Sequence, residues 1–170
     1  QAGSKYSVAW LDCLAGKGNR GRSVLFTGEP AMEGDLEKSP LRSLPAPRYS
    51  PGFLVNRLTM TAFNRLYFSV QSATRNRQRV VDLNHYFFPL HRVLNWNTLY
   101  GPAGFVQYQF VVPPDNARQA ILAVLDETAQ QGRGSFLCVL KKFAPENKNL
   151  LSFPMEGYTL ALDFKIEKEI

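Results

Sequence analysis

The chain has 170 residues, of which 45% are hydrophobic and 20% charged, with a formal net charge of +6. That length fits one domain able to bury roughly 70% of its unfolded surface, and the balance is ordinary for a globular protein. No apolar run approaches the ~20 residues a membrane span requires, and two cysteines cannot supply a disulfide framework.

In chain order, residues 5–14 and 22–27 read as strands. Gly16, Gly18 and Gly21 between them satisfy the spacing of a dinucleotide fingerprint. A β-branched, aromatic segment follows where a helix is needed, so a hairpin loop is expected. Residues 28–52 carry Pro30, Pro40, Pro45, Pro47 and Pro51 and read as a long surface loop. Residues 53–71 place Leu58, Ala62, Leu66 and Ser69, with Phe63 and Tyr67, at helical spacing, and such a stripe predicts a core-facing helix. Residues 79–88 read as a strand ending at Pro89, and His91–Asn95 as a helical turn. A strand over 104–112 precedes a helix opened by Pro113-Pro114-Asp115, with Asp115 as its expected cap. Ile121, Leu122, Leu125 and Ala129 form its apolar stripe and Gly132 its stop. Strands over 135–143 and 158–166 flank a loop at 145–149. Strands interleaved with two helices, without a βαβ rhythm, predict an α+β fold with an antiparallel β-sheet covered by helices.

The basic residues are dispersed. Only Arg75, Arg77 and Arg79 cluster, and a solvated edge is expected there. Cys13 and Cys138 lie in apolar strand surroundings and read as free thiols, which favours a reducing, cytoplasmic setting. His85 and His91 lack a second ligand pair, so no metal site is expected. Asp12, Asp82, Asp126 and Asp163 lie in different elements without an evident pairing, and no catalytic motif stands out.

The most informative stretch is Trp96 to Pro113. Alternation sends Phe105, Gln107, Gln109 and Val111 to one face of its strand and Val106, Tyr108, Phe110 and Val112 to the other, the second set being the expected core face. Two amides side by side suit a ligand rich in hydroxyls. Lys141 and Lys142 follow an apolar strand run, and alternation sends them to opposite faces. Lys141 could equally snorkel at the sheet edge, and Trp10, among Val8, Ala9 and Leu11, reads as core.

The motif WNxxYGPxGFxQYQFVxP resembles the substrate-binding domain of FAD-linked sugar oxidases of the vanillyl-alcohol-oxidase type, the decaprenylphosphoryl-β-D-ribose oxidase group above all. Tyr6–Asp12, Phe88-Pro89-Leu90, Ser135–Lys141, Leu151–Pro154 and Gly157–Phe164 agree with it in order. The resemblance implies a cap domain over residues 1–170, with FAD-binding segments on both sides in a longer protein. Gln1–Lys5 and Ile166–Ile170 would then be internal boundaries. It implies FAD held mainly outside this segment, and a sugar or sugar-lipid substrate lined by Trp10, Phe87, Leu90, Val93, Gln107, Gln109, Lys141, Thr159 and Ala161. The partners implied are that substrate and the FAD domain of the same chain, with no nucleic acid and with membrane association of the whole protein left open. No catalytic or cofactor-binding residue is expected within these 170. Those oxidases carry asparagine where this chain has Thr159, cysteine at Ala161 and tyrosine at Phe87, so a different substrate is expected. Two rivals remain. Gly104–Tyr108 fits half of an RNA-binding strand motif, although its aromatics fall on opposite faces. A catalytically dead scaffold would keep the same fold.

Overall fold

β-branched and aromatic residues at alternate positions give the chain its strands, and their antiparallel pairing gives it one five-stranded sheet. The computed structural model describes residues 4–32, 44–46, 51, 55–88, 90, 93–134, 136–150 and 155–167. In chain order the elements are β1 (Tyr6–Leu11), β2 (Ser23–Gly28), β3 (Leu44–Pro45), α1 (Arg57–Ala73), α2 (Leu83–Phe87), β4 (Val93–Leu94), β5 (Phe105–Val112), α3 (Pro114–Gln131), β6 (Cys138–Phe143) and β7 (Gly157–Lys165). The sheet runs β2-β1-β6-β7-β5, with every neighbouring pair antiparallel. β3 and β4 form a separate parallel pair. The α+β architecture expected from the sequence is the one observed.

The core gathers Leu11, Cys138, Leu160 and Leu162 of the sheet with Ala117, Ile121 and Leu125 of α3. Leu160 and Leu162 are buried, and each such side chain contributes about 1.5–3 kcal/mol of hydrophobic stabilisation. α3 begins at Pro114, because proline fits a first turn whose N–H groups have no helical partner. Pro113 is its cap residue, so Asp115 sits inside the first turn and does not cap it. The helix ends at Gly132 with φ 66°, as expected.

α1 departs from its predicted orientation. Asn56 caps it, its side chain accepting from the Leu58 and Thr59 amides at 2.8 and 3.1 Å. The face turned inward carries Met60 and Asn64, whereas Leu58 and Leu66 of the predicted core stripe are exposed. The buried polar Asn64 is explained by its partner Asp12, described below. A second correction concerns 79–88, which is not a strand. Asp82 accepts the His85 amide hydrogen at 3.0 Å and starts α2, so a local cap outweighs the β propensity of Val80, Val81 and Tyr86. A third concerns His91–Asn95: Val93 and Leu94 pair with β3, and Asn95 is left-handed at φ 56°. His91 and most of the proline-rich 28–52 segment lie outside the described residues.

After Asn95 a tight turn of helix, Trp96–Tyr100, leads to Gly101 and Gly104, whose φ values of 85° and 79° few other residues adopt. The chain thereby reverses into β5 at the sheet edge. Being an edge strand, β5 buries only part of its expected core face. Phe110 and Val112 pack on the core, while Val106 and Tyr108 are about half exposed. Phe105, expected on the other face, also reaches the core, where its ring stacks on Tyr100 at 4.6 Å.

Candidate functional site

Residues opposite each other in an antiparallel ladder share a face. Across β1 and β6, Val8 lies opposite Lys141 and Trp10 opposite Val139. Across β6 and β7, Lys141 lies opposite Thr159 and Val139 opposite Ala161. Across β7 and β5, Ala161 lies opposite Gln109 and Asp163 opposite Gln107. Trp10, Lys141, Thr159, Ala161, Gln107 and Gln109, scattered over 150 positions in sequence, are therefore on one face of the sheet. Phe87 reaches the same face through α2, its ring edge-on to Tyr6 at 5.1 Å. Val93 belongs to β4, outside this sheet, and Leu90 is half-buried nearby in sequence; the register brings neither onto the face.

α1 covers the β1 side of this face. Its Tyr67 packs on Trp10 at 4.8 Å, and the Trp10 indole donates to the Phe136 carbonyl at 2.8 Å. Burial raises the Tyr67 pKa above the ordinary phenol value. Trp10 is buried, so it forms floor and wall and does not offer a hydrogen bond to a ligand. Beside it Asp12 accepts from Asn64 at 2.9 Å, from the Leu14 amide at 3.1 Å and from Arg22 through Nε at 3.0 Å and Nη2. Asp126 pairs with Arg20 at 2.5 Å, and Asp82 caps α2.

Away from α1 the face is open. Lys141, Gln107 and Gln109 are exposed, and Thr159 and Asp163 are buried beneath the amides. Gln107 donates through Nε2 to Asp163 at 2.8 Å, and the Tyr100 hydroxyl donates to the other Asp163 oxygen at 3.2 Å. Gln109 donates through Nε2 to Thr159 Oγ1 at 3.0 Å, and that hydroxyl donates to the Phe110 carbonyl at 2.8 Å. Burial raises the Asp163 pKa above the usual carboxylate value, partly offset by the bonds from Gln107 and Tyr100. Lys142 faces the opposite side of the sheet, so alternation does divide the two lysines, but both remain exposed. A shallow depression of about 20 Å³ on that opposite side, touched by Ala9, Leu140 and Tyr158, has room for one water and no sugar.

Among the described residues this face does not present a nucleophile to a base. Cys13 and Cys138 are buried, and the Cys138 thiol is pushed well up by its hydrogen bond with Cys13 and then by burial, which keeps it unreactive. Among the described residues no cluster of His, Cys, Asp and Glu could hold a metal ion. The Gly16–Gly21 loop makes one tight turn at Lys17–Asn19 and enters β2, so it has no helix start to face a pyrophosphate. Phe105 and Tyr108 point to opposite sides of β5, which removes a base-stacking platform. Tyr100 and Asp163 fall outside the substrate-lining residues that the sequence resemblance implies, and Asp163 finds its partners only in the fold. Asp163 is two residues beyond Ala161, so the period-two step from Thr159 through Ala161 already placed it on this face.

No protein-family model matches the chain. The fold and this polar sheet face belong to a segment that aligns with part of an oxidase. Over 176 aligned positions, 98% of this chain, it is 34% identical to decaprenylphosphoryl-β-D-ribose oxidase of Mycolicibacterium smegmatis. The chain spans 38% of that relative's length. The alignment bears out the resemblance to this group of FAD-linked oxidases and makes the chain a fragment-length relative of an enzyme. Among the described residues no helix is long and apolar enough to cross a membrane.

Proposed function

We propose that the chain is the substrate-binding part of an FAD-dependent oxidoreductase that oxidises a sugar-like alcohol by hydride transfer to the flavin. The observation that carries this reading is the open half of the sheet face, where two amides and one ammonium stand side by side over a buried polar floor. Amides bond hydroxyls and a lysine attracts an anionic group, which together describe a sugar or sugar phosphate. The 34% identity to an oxidase named for a phosphorylated ribose lipid supports the same class. Thr159, Ala161 and Phe87 stand where the resembled oxidases carry asparagine, cysteine and tyrosine, so the substrate proposed here is related and not identical.

None of the described residues forms a dinucleotide cradle, and the flavin would be held by residues outside this chain. When bound it would supply the hydride acceptor. The residues of this chain would orient the alcohol and exclude water from one side. The 170 residues alone should not catalyse. The test is the visible spectrum of the full-length protein, before and after anaerobic addition of sugars and sugar phosphates. Bleaching of a flavin band by one of them is expected. A full-length protein that takes up no added FAD, or an isolated 170-residue chain that oxidises an alcohol by itself, would overturn the reading.

A further inference from the structure

The two glutamines of the open face are each held from behind by a different acceptor, and the acceptors fix which end of each amide points outward. Thr159 has one hydroxyl proton, and it goes to the Phe110 carbonyl at 2.8 Å, a group that can only accept. The Thr159 oxygen is left to accept, so Gln109 must present its NH2 inward, as the 3.0 Å bond records. At Gln107 the same constraint comes from Asp163, which already receives the Tyr100 hydroxyl at 3.2 Å and receives the Gln107 NH2 at 2.8 Å. Both amides thereby turn their carbonyl oxygens toward the open side. An unconstrained glutamine could flip to suit either kind of ligand group; these two cannot without leaving a buried partner unmatched.

We propose that Thr159 and the Asp163–Tyr100 pair are positioning residues that make this face an acceptor pair, selecting a polyol whose hydroxyls both donate. The acceptors are two strand residues apart, a span of roughly 7 Å along the backbone, which suits groups on opposite sides of one sugar ring. Lys141, opposite Thr159 in the ladder, is the neighbouring cation, so donor hydroxyls and an anionic substituent would be read by different side chains. An amide at position 159, as in the resembled oxidases, could donate or accept and would leave Gln109 free to turn. The threonine therefore narrows the ligand class. This inference rests on the sugar-binding reading above, and its test separates the two.

The ligand arm titrates full-length protein with methyl β-D-ribofuranoside and with its 2,3,5-tri-O-methyl ether, which keeps the oxygens and loses every hydroxyl donor. The ether should bind at least about tenfold more weakly, because it leaves the amide acceptors unpaired. Thr159→Ser, which keeps the hydroxyl, should preserve that ratio. Thr159→Val should shrink it, because Gln109 can then turn. A wild-type protein that binds both sugars equally, or a ratio unchanged in Thr159→Val, overturns the proposal. The second arm needs no sugar. In the 170-residue chain labelled with 15N-glutamine, the Gln109 side-chain NH2 should exchange more slowly than that of exposed Gln119, and Thr159→Val should abolish the difference. If neither sugar binds but this protection is present and Thr159-dependent, the sugar reading fails and the orienting role stands. If the protection is absent, the orienting role fails whatever binds.

Discussion

Under α1, the β1 half of the polar sheet face satisfies its charges internally: Asp12 is surrounded by Arg22, Asn64 and the Leu14 amide. Across β6, the half built from β7 and β5 stops short of that. Asp163 and Thr159 are matched, but the amides that match them reach solvent, and Lys141 stands exposed beside them. The same strands, read in the same register, thus carry one polar network whose charges are paired within the protein and one whose amides reach solvent. A network whose charges are matched inside the protein specifies the fold, even though the buried Asn64 Oδ1 is left without a hydrogen-bond partner among the described residues. An open one whose inner ends are pinned is a preorganised surface, because its donors and acceptors are aimed before anything binds.

The two halves differ most at Asp12. Asp12→Ala leaves the Arg22 guanidinium and Asn64 without their acceptor in a buried setting, and should cost about 3–5 kcal/mol in urea denaturation. A loss under 1 kcal/mol would mean the β1 half is not the structural one. Within the same half, Trp10→Phe keeps an aromatic ring against Tyr67 and removes the bond to Phe136. It should cost about 1 kcal/mol, read from the same denaturation curves.

The boundary between the halves can be sharpened by pH. Burial raises the Asp163 pKa in the folded chain, so the folded state holds a proton more tightly than the unfolded state. Its contribution to stability is fullest below the unfolded carboxylate value and is lost as pH rises through the folded one. Asp163→Asn should flatten this part of the stability–pH profile; an unchanged slope would assign it to other groups. The smallest stability effect belongs to the open half. Lys141→Ala should move the denaturation midpoint by no more than the equivalent of about 0.5 kcal/mol, while weakening binding of a sugar phosphate more than that of the neutral sugar. Equal weakening of both would remove Lys141 from anion recognition.

Much of this was legible in the sequence because the strands announce themselves by alternation. Gln107 and Gln109 two apart, and Thr159 and Ala161 two apart, place themselves on common faces without any structure. α3 was legible from its prolines, its stripe and Gly132. The failures share a cause, which is that a local pattern was read where a distant or capping partner decides. Leu58 and Leu66 form a good apolar stripe, yet α1 turns Met60 and Asn64 inward, because Asn64 finds Asp12 across 52 residues. Val80, Val81 and Tyr86 favour a strand, yet the Asp82 side chain caps a helix among them. Tyr100 belongs to no strand, and only the turn at Gly101 and Gly104 carries it under β5 to Asp163. That Lys141 sits beside Thr159 is a matter of register, which no stretch of either strand reveals alone.

The register also has an evolutionary consequence. Along β7 the odd positions Thr159, Ala161 and Asp163 face the open side, and the even positions Leu160 and Leu162 face α3. The proposed recognition and the folding are thus written on interleaved letters of one strand. Substitutions at the odd positions can accumulate without disturbing the hydrophobic contacts at the even ones, so a lineage can change what it holds while keeping how it folds. Positions 159 and 161, where this chain departs from the oxidases it resembles, are both odd.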